Sequence, residues 1–119
     1  ELIKTKKPLI ASLGLWKKLE LPIIKSQNKV DYLYCISKYP SPLKDFKLNK
    51  IDFINKYSGF SDHSLGITAA CSSFVLGSRI LEKHLTIDKS MYGPDHSCSM
   101  TPNELKTISN FLKEWKQCK

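Results

Sequence analysis

A chain of 119 residues, 41% hydrophobic and 25% charged, has the make-up of one folded unit rather than of a disordered or fibrous segment. That length supports a single modest core and excludes a complete eight-stranded α/β barrel, which takes about 250 residues. The formal net charge of +8 raises nucleic acid or an anionic membrane as partners. Against both, eighteen of the nineteen cations are lysines spread from Lys4 to Lys119, and Arg79 is the one arginine. Base and phosphate recognition leans instead on clustered arginine forks. The expectation is therefore no nucleic-acid and no membrane partner, with anionic small substrates left open.

In chain order, the basic run from Lys4 to Lys7 reads as a solvated approach to a first strand, Pro8 to Ser12. A weak helical stretch follows from Leu15 to Lys29, interrupted by Pro22. The second strand spans Asp31 to Ser37, and a second weak helix, with Leu48, Ile51 and Ile54 as its stripe, spans Lys47 to Lys56. The third strand is Tyr57 to Ser61. After it, Ile67, Ala70, Cys71, Phe74 and Val75 mark one face of a helix from Ile67 to Leu76 that Gly77 stops. The fourth strand is Arg79 to Leu85. The last helix opens with Thr101 as N-cap, Pro102 at N1 and Glu104 at N3, a capping box, and carries Leu105, Ile108, Leu112 and Trp115 on one face.

Strand starts recur every 22 to 26 residues, the interval of successive βα units, which predicts an α/β fold of parallel strands joined by right-handed crossovers. Residues 1–119 read as a single unit. No C-x-x-C pair exists among Cys35, Cys71, Cys98 and Cys118, so neither a zinc knuckle nor a dithiol centre is expected. Cys35 and Cys71 fall in apolar runs as small reduced hydrophobes, which fits the cytoplasm. No run reaches the eighteen apolar residues of a membrane span. The opening Glu1-Leu2-Ile3-Lys4 has no signal-peptide core and reads as the start of a cut or partly observed chain.

Chemistry concentrates at strand ends. Ser61-Asp62-His63 closes the third strand, and Glu82-Lys83-His84 lies one βαβ repeat later. That repeat brings His63 and His84 to the carboxyl edge of adjacent parallel strands, where α/β folds place active sites and where two imidazoles can share a metal. The plainer alternative is one core histidine and one surface histidine. Asp95 and His96, in the turn-rich loop Met91 to His96, can reach over the same edge, or can belong to a simple turn. Histidine with carboxylate oxygen suits manganese, iron or zinc, and spacing does not choose among them. Ser12, Ser37 and Tyr39, just after the first two strands, supply hydroxyls for phosphate or sugar.

These motifs, in this order, resemble the N-acetylneuraminate (sialic acid) synthase family. Lys7-Pro8-Leu9-Ile10-Ala11-Ser12-Leu13-Gly14 is similar to its K-P-[VL]-I-x-S-T-G strand, and Cys35-Ile36-Ser37-Lys38-Tyr39-Pro40-Ser41-Pro42 to C-T-S-x-Y-P-x-P. Phe60-Ser61-Asp62-His63-Ser64-Leu65-Gly66 is similar to Y-S-D-H-T-x-G. Leu81 to Lys89 and Gly93 to Pro102 follow [IL]-E-[KR]-H-x-T-[LI]-D-[KR] and G-[PS]-D-H-x-x-S-[LM]-x-P almost residue for residue. Leu13 and Ile36 stand where the family usually has threonine.

The resemblance implies a TIM-barrel type fold, with this chain as about four βα units, the second half of a (β/α)8 barrel. It maps no residue onto the family's N-terminal half or its C-terminal antifreeze-like domain. It implies that His63 and His84 bind a catalytic divalent metal, typically manganese (Mn2+), that Ser12, Ser37 and Ser61 line a phosphoenolpyruvate site, and that Tyr39 and Asp95 contact an N-acetylated hexosamine. The reaction implied is attack of phosphoenolpyruvate carbon 3 on the open-chain aldehyde, with the metal as Lewis acid, followed by loss of phosphate through C–O cleavage. An open four-stranded sheet exposes edges, so a homo-oligomer or association with a complementary half-barrel is expected. The alternative is a catalytically inactive half-barrel acting as a metal- or sugar-phosphate-binding module.

Overall fold

The computed structural model describes residues 2–25 and 28–119. Four parallel strands, β1 (Leu9–Ser12), β2 (Val30–Cys35), β3 (Gly59–Ser61) and β4 (Ile80–Glu82), form one sheet in chain order. Every strand therefore pairs with its sequence neighbour, the arrangement of half a TIM barrel, as the strand interval predicts. A one-turn α1 (Leu43–Phe46), a 3-10 turn at Leu48–Lys50, α2 (Thr68–Val75), a 3-10 turn at His96–Cys98 and α3 (Pro102–Gln117) complete the order.

Register fixes which side chains face which way. Ser12 lies opposite Leu33, Cys35 opposite Ser61, and Ser61 opposite Glu82, so these residues share the axis-facing side. Tyr34, Phe60 and Leu81 align on the other side, beneath the helices. There Phe46, Phe53, Phe60 and Ala69 form a buried cluster, with Phe46 edge-on to Phe60 at 5.1 Å between ring centroids. Burying one such ring contributes about 1.5–3 kcal/mol. Ala70, Met100 and Ile108 form a second cluster that joins α2 to α3, and Leu81 packs against both clusters.

Several expectations are corrected. The helix expected over Leu15 to Lys29 is absent among the described residues, with Ser26 and Gln27 outside them. Pro22 removes a donor and the apolar spacing is poor, and the segment is held as a strap instead. Trp16 Nε1 donates to the Glu20 carbonyl at 2.8 Å, Tyr32 Oη donates to that of Pro22 at 2.6 Å, and the Lys56 ammonium donates to that of Leu19. The helix expected over Lys47 to Lys56 is not formed: α1 ends before it, Lys47 with its φ of 47° separates α1 from the 3-10 turn at Leu48–Lys50, and only turns follow. On α2, Val75 is exposed while Ala69 and Ser73 are buried, and Ser73 manages this by donating its hydroxyl to the Ala70 carbonyl at 2.7 Å. On α3 the capping box forms as expected and Ile108 is buried, but Leu105 is exposed.

β4 stops at Glu82 rather than Leu85. Beyond it, the His84 carbonyl accepts from Met100 N at 2.8 Å and Thr86 N donates to the Met100 carbonyl at 2.9 Å. The chain there has exchanged β3 for the Leu85–Met100 bridge. All four cysteines are free, and no helix among the described residues is long and apolar enough to cross a membrane.

Candidate functional site

A cleft of about 390 Å3 opens at the carboxyl ends of all four strands, lined by Ser12, Gly14, Cys35, Ser37, Tyr39, His63, Glu82, Lys83 and His84. Each βα loop contributes because a parallel sheet brings every strand end to one edge. Gly14 lets the loop after β1 pass close against the end of β2, since a Cβ there would sit 2.0 Å from Ser37 Oγ and 3.0 Å from Cys35 Sγ. The loop after β2 is tied back by Ser41, whose hydroxyl donates to the Lys38 carbonyl at 2.6 Å and whose N–H donates to the His63 carbonyl at 2.9 Å. That tie sets the Tyr39 ring 4.2 Å from the His63 ring, centroid to centroid.

The pairing offset between β3 and β4 runs on past the strands as three successive rungs. Facing the axis, Ser61 Oγ donates to Glu82 Oε1 at 2.7 Å. On the opposite side, Lys83 Nζ and Asp62 Oδ2 form an ion pair at 3.0 Å, both side chains wholly buried. Facing the axis again, the His63 and His84 rings lie 5.3 Å apart at 44°. His63 is buried, and burial lowers its pKa, although the Ile36 carbonyl opposes the shift and the neighbouring His84 adds to it. A neutral imidazole with a free lone pair is the form that binds a metal.

The donor chemistry fits a divalent ion in part. Two imidazoles at this separation are within the span reached when both bind one ion through bonds of about 2.0–2.1 Å. Among the described residues no three His, Cys, Asp or Glu side chains gather at one point. The pair could therefore supply two ligands to such an ion, leaving further positions to water, substrate or other groups.

Of the residues singled out from the sequence, Ser12, Ser37, Tyr39, His63 and His84 meet in this cleft. Ser61 lies beneath it, fully buried and engaged with Glu82. Asp95 is not among the lining residues. It caps the His96–Cys98 turn, its carbonyl accepting from Ser99 N at 3.0 Å. The Tyr39 phenol is raised first by desolvation and then by the negative charges around it, Asp95 among them. His96 points elsewhere, its Nδ1 2.8 Å from Thr86 Oγ1.

Sequence reasoning names Asp62, Glu82 and Lys83 only as members of the two strand-end motifs, without a role, and does not place Cys35 at the cleft. Cys35 is buried as expected but borders the cleft, its Sγ 3.8 Å from His63 Nδ1. The signal was available, because one offset of 21 residues pairs 61 with 82, 62 with 83 and 63 with 84.

A family model, the NeuB family, matches residues 1–119. The chain is similar to the N-acetylneuraminate-9-phosphate synthase of Drosophila melanogaster, 36% identical across 92% of this chain and 32% of that protein. It is also similar to the N,N'-diacetyllegionaminic acid synthase of Campylobacter jejuni, 36% identical across 76% of this chain and 28% of that one. Among solved structures, the N-acetylneuraminic acid synthetase of Leptospira borgpetersenii in complex with citrate superposes with a TM-score of 0.69. It is 29% identical and covers 77% of this chain and 34% of its own. The chain thus spans about a third of the length of such relatives.

Proposed function

The chain belongs to the NeuB family, and from that premise we propose that it forms the metal-binding half of a barrel that condenses phosphoenolpyruvate with an N-acetylated hexosamine to give a nonulosonic acid and phosphate. The observation that carries this reading is the meeting of the His63 and His84 rings at 5.3 Å on the strand-end cleft. His63 and His84 would hold a divalent ion, manganese by preference. A bound ion of this kind supplies Lewis acidity to the aldehyde of the open-chain sugar.

The chain's own residues divide the remaining tasks. Desolvation keeps His63 neutral and its lone pair available near neutral pH. The Ser12 and Ser37 hydroxyls, at neighbouring strand ends, suit the carboxylate and phosphate oxygens of phosphoenolpyruvate. Ser61 holds the Glu82 carboxylate in one orientation beside them. The Tyr39 ring, half-exposed beside His63, offers a face and a hydroxyl to the sugar, and the Asp95 charge is among those that raise its phenol pKa. The chain's net charge of +8 favours approach of an anionic substrate.

β1 and β4 are the edges of the described sheet, and Ile10 on the axis-facing side is 57% exposed. A closed barrel would cover both features, which supports association with further strands, from a complementary half-barrel or a second copy. A cytoplasmic location is part of the same proposal.

The test is phosphate release from phosphoenolpyruvate plus N-acetylmannosamine with manganese, repeated with a chelator and with diacetamido-trideoxy sugars. Chelator-sensitive release with one of these sugars supports the synthase reading and names the substrate. Metal binding without release, in folded protein, replaces it with an inactive binding module.

A further inference from the structure

The ladder between β3 and β4 ends before it reaches the histidines. Its last backbone hydrogen bond, Asp62 N to the Glu82 carbonyl at 2.9 Å, leaves His63 and His84 beyond the sheet. Past that point their carbonyls go to different segments, His63 accepting from Ser41 N and His84 from Met100 N. Two independent anchors do not by themselves fix the distance between two rings. A direct cross-connection at this level is made by side chains one residue earlier on each strand.

Lys83 Nζ donates to Asp62 Oδ2 at 3.0 Å and to the Ser64 carbonyl at 2.7 Å. Asp62 Oδ1 accepts from Ser64 N at 2.8 Å. Asp62, Lys83 and both backbone groups of Ser64 therefore close a ring around the backbone of His63 and fasten it to the residue before His84. Both charged side chains are wholly buried. A buried ion pair of this kind is poor value for stability alone, because well-packed apolar residues of similar volume are often as stable or more so. What apolar residues cannot reproduce is direction, since three charge-assisted hydrogen bonds specify one relative position of two chain segments.

We infer that Asp62 and Lys83 are positioning residues that fix the His63–His84 separation where the β-ladder has ended. The inference rests on the proposed reading of the two histidines as a metal pair, but the clasp can be tested without metal.

The experiment compares the full protein with the double variant Asp62→Leu/Lys83→Met, which removes both charges together, and with Lys83→Arg, which keeps the pair. The first readout is the nuclear Overhauser effect between the His63 and His84 ring protons in metal-free protein. The second is affinity for Mn2+ alone. The expected result for the double variant is native far-UV circular dichroism, loss of the inter-ring effect and at least a tenfold fall in Mn2+ affinity, with both readouts retained in Lys83→Arg. A folded double variant that keeps the inter-ring effect overturns the clasp, whatever its metal affinity. If the wild type binds no Mn2+ yet the double variant loses the inter-ring effect, the clasp stands and the metal reading falls. Should the double variant fail to fold, Asp62→Asn takes its place under the same criteria.

Discussion

Gly59 of β3 lies directly against Ile80 of β4, with no room for a Cβ, and replacing it with alanine should pull the strands apart below the site. A Cβ on Gly59 would lie 2.1 Å from the Ile80 carbonyl oxygen, 2.7 Å from Ile80 Cβ and 2.8 Å from Ile80 C, where ordinary contact begins at 3.4 Å. Two of those three atoms are backbone, so no rotamer change relieves the clash and β4 must retreat by more than about 1 Å, well outside close packing. Overpacking of this kind costs about 1–3 kcal/mol. Weakening one or two ladder hydrogen bonds adds about 0.5–1.5 kcal/mol each. The expected loss is therefore about 1.5–6 kcal/mol, on the order of 6–24 °C in Tm for a unit of this size. Gly66→Ala is the internal control. Gly66 has a φ of 70°, and a Cβ added to it would meet nothing within 4 Å, so it carries only backbone strain, about 1–2 kcal/mol. Both substitutions restrict the unfolded chain equally, and that contribution cancels between them. Thermal and urea unfolding of the two variants decides the matter. If Gly59→Ala is no more damaging than Gly66→Ala, the close approach of the strands does not constrain this position and the reasoning fails.

The proposed metal pair and two titrating side chains give three further expected outcomes. His63→Ala and His84→Ala should each lower Mn2+ affinity by at least tenfold, about 1.4 kcal/mol. His96→Ala, whose ring faces Thr86, should stay within about threefold, and calorimetric titration that ranked His96 with the other two would refute the pairing. Burial holds the His63 pKa below 6.5, so the folded state takes up this proton less readily than the unfolded chain. Stability linked to His63 is then complete above pH 6.5 and declines as pH falls from there toward the folded value; a His63→Gln variant should flatten that slope in urea titrations between neutral and mildly acidic pH. Glu104 is opposed by burial, but the Lys89 ammonium at 2.8 Å and the Thr101 N–H hold its carboxyl below the usual 4.5. Its contribution is present above pH 4.5 and lost as pH falls through the lower folded value, and Glu104→Gln should make acid unfolding of α3 less steep in circular dichroism.

How much of this is legible in the sequence depends on whether the signal is local. The strands and α3 are readable because their determinants lie within a few residues: apolar runs at a βα interval, and Thr101 with Glu104 at capping-box spacing. The first crossover departs from the expected helix because helical structure there would have to come from Leu15 to Lys29 alone, and Pro22 and the long-range bonds from Tyr32 and Lys56 outweigh a weak propensity. Val75 departs from its expected face for a related reason. Periodicity gives the face of a helix only to within a residue or so, and Ser73 reaches the buried side by satisfying its hydroxyl within α2.

The site is legible as a set of residues, but not as the device that holds them together. His63 and His84 stand out because histidine at a strand end is chemically conspicuous, whereas Asp62 and Lys83 appear only as members of the two strand-end motifs, with no role of their own. Their burial follows from alternation: if 61 and 63 face the axis, 62 must face the helices, and a lone carboxylate there is tolerable only with a cation opposite. The register that sets Glu82 opposite Ser61 sets that cation, Lys83, opposite Asp62. A paired acid and base one residue before two histidines, at the same offset as the histidines themselves, is thus a readable sign that two strand ends are fastened together where chemistry needs them fixed.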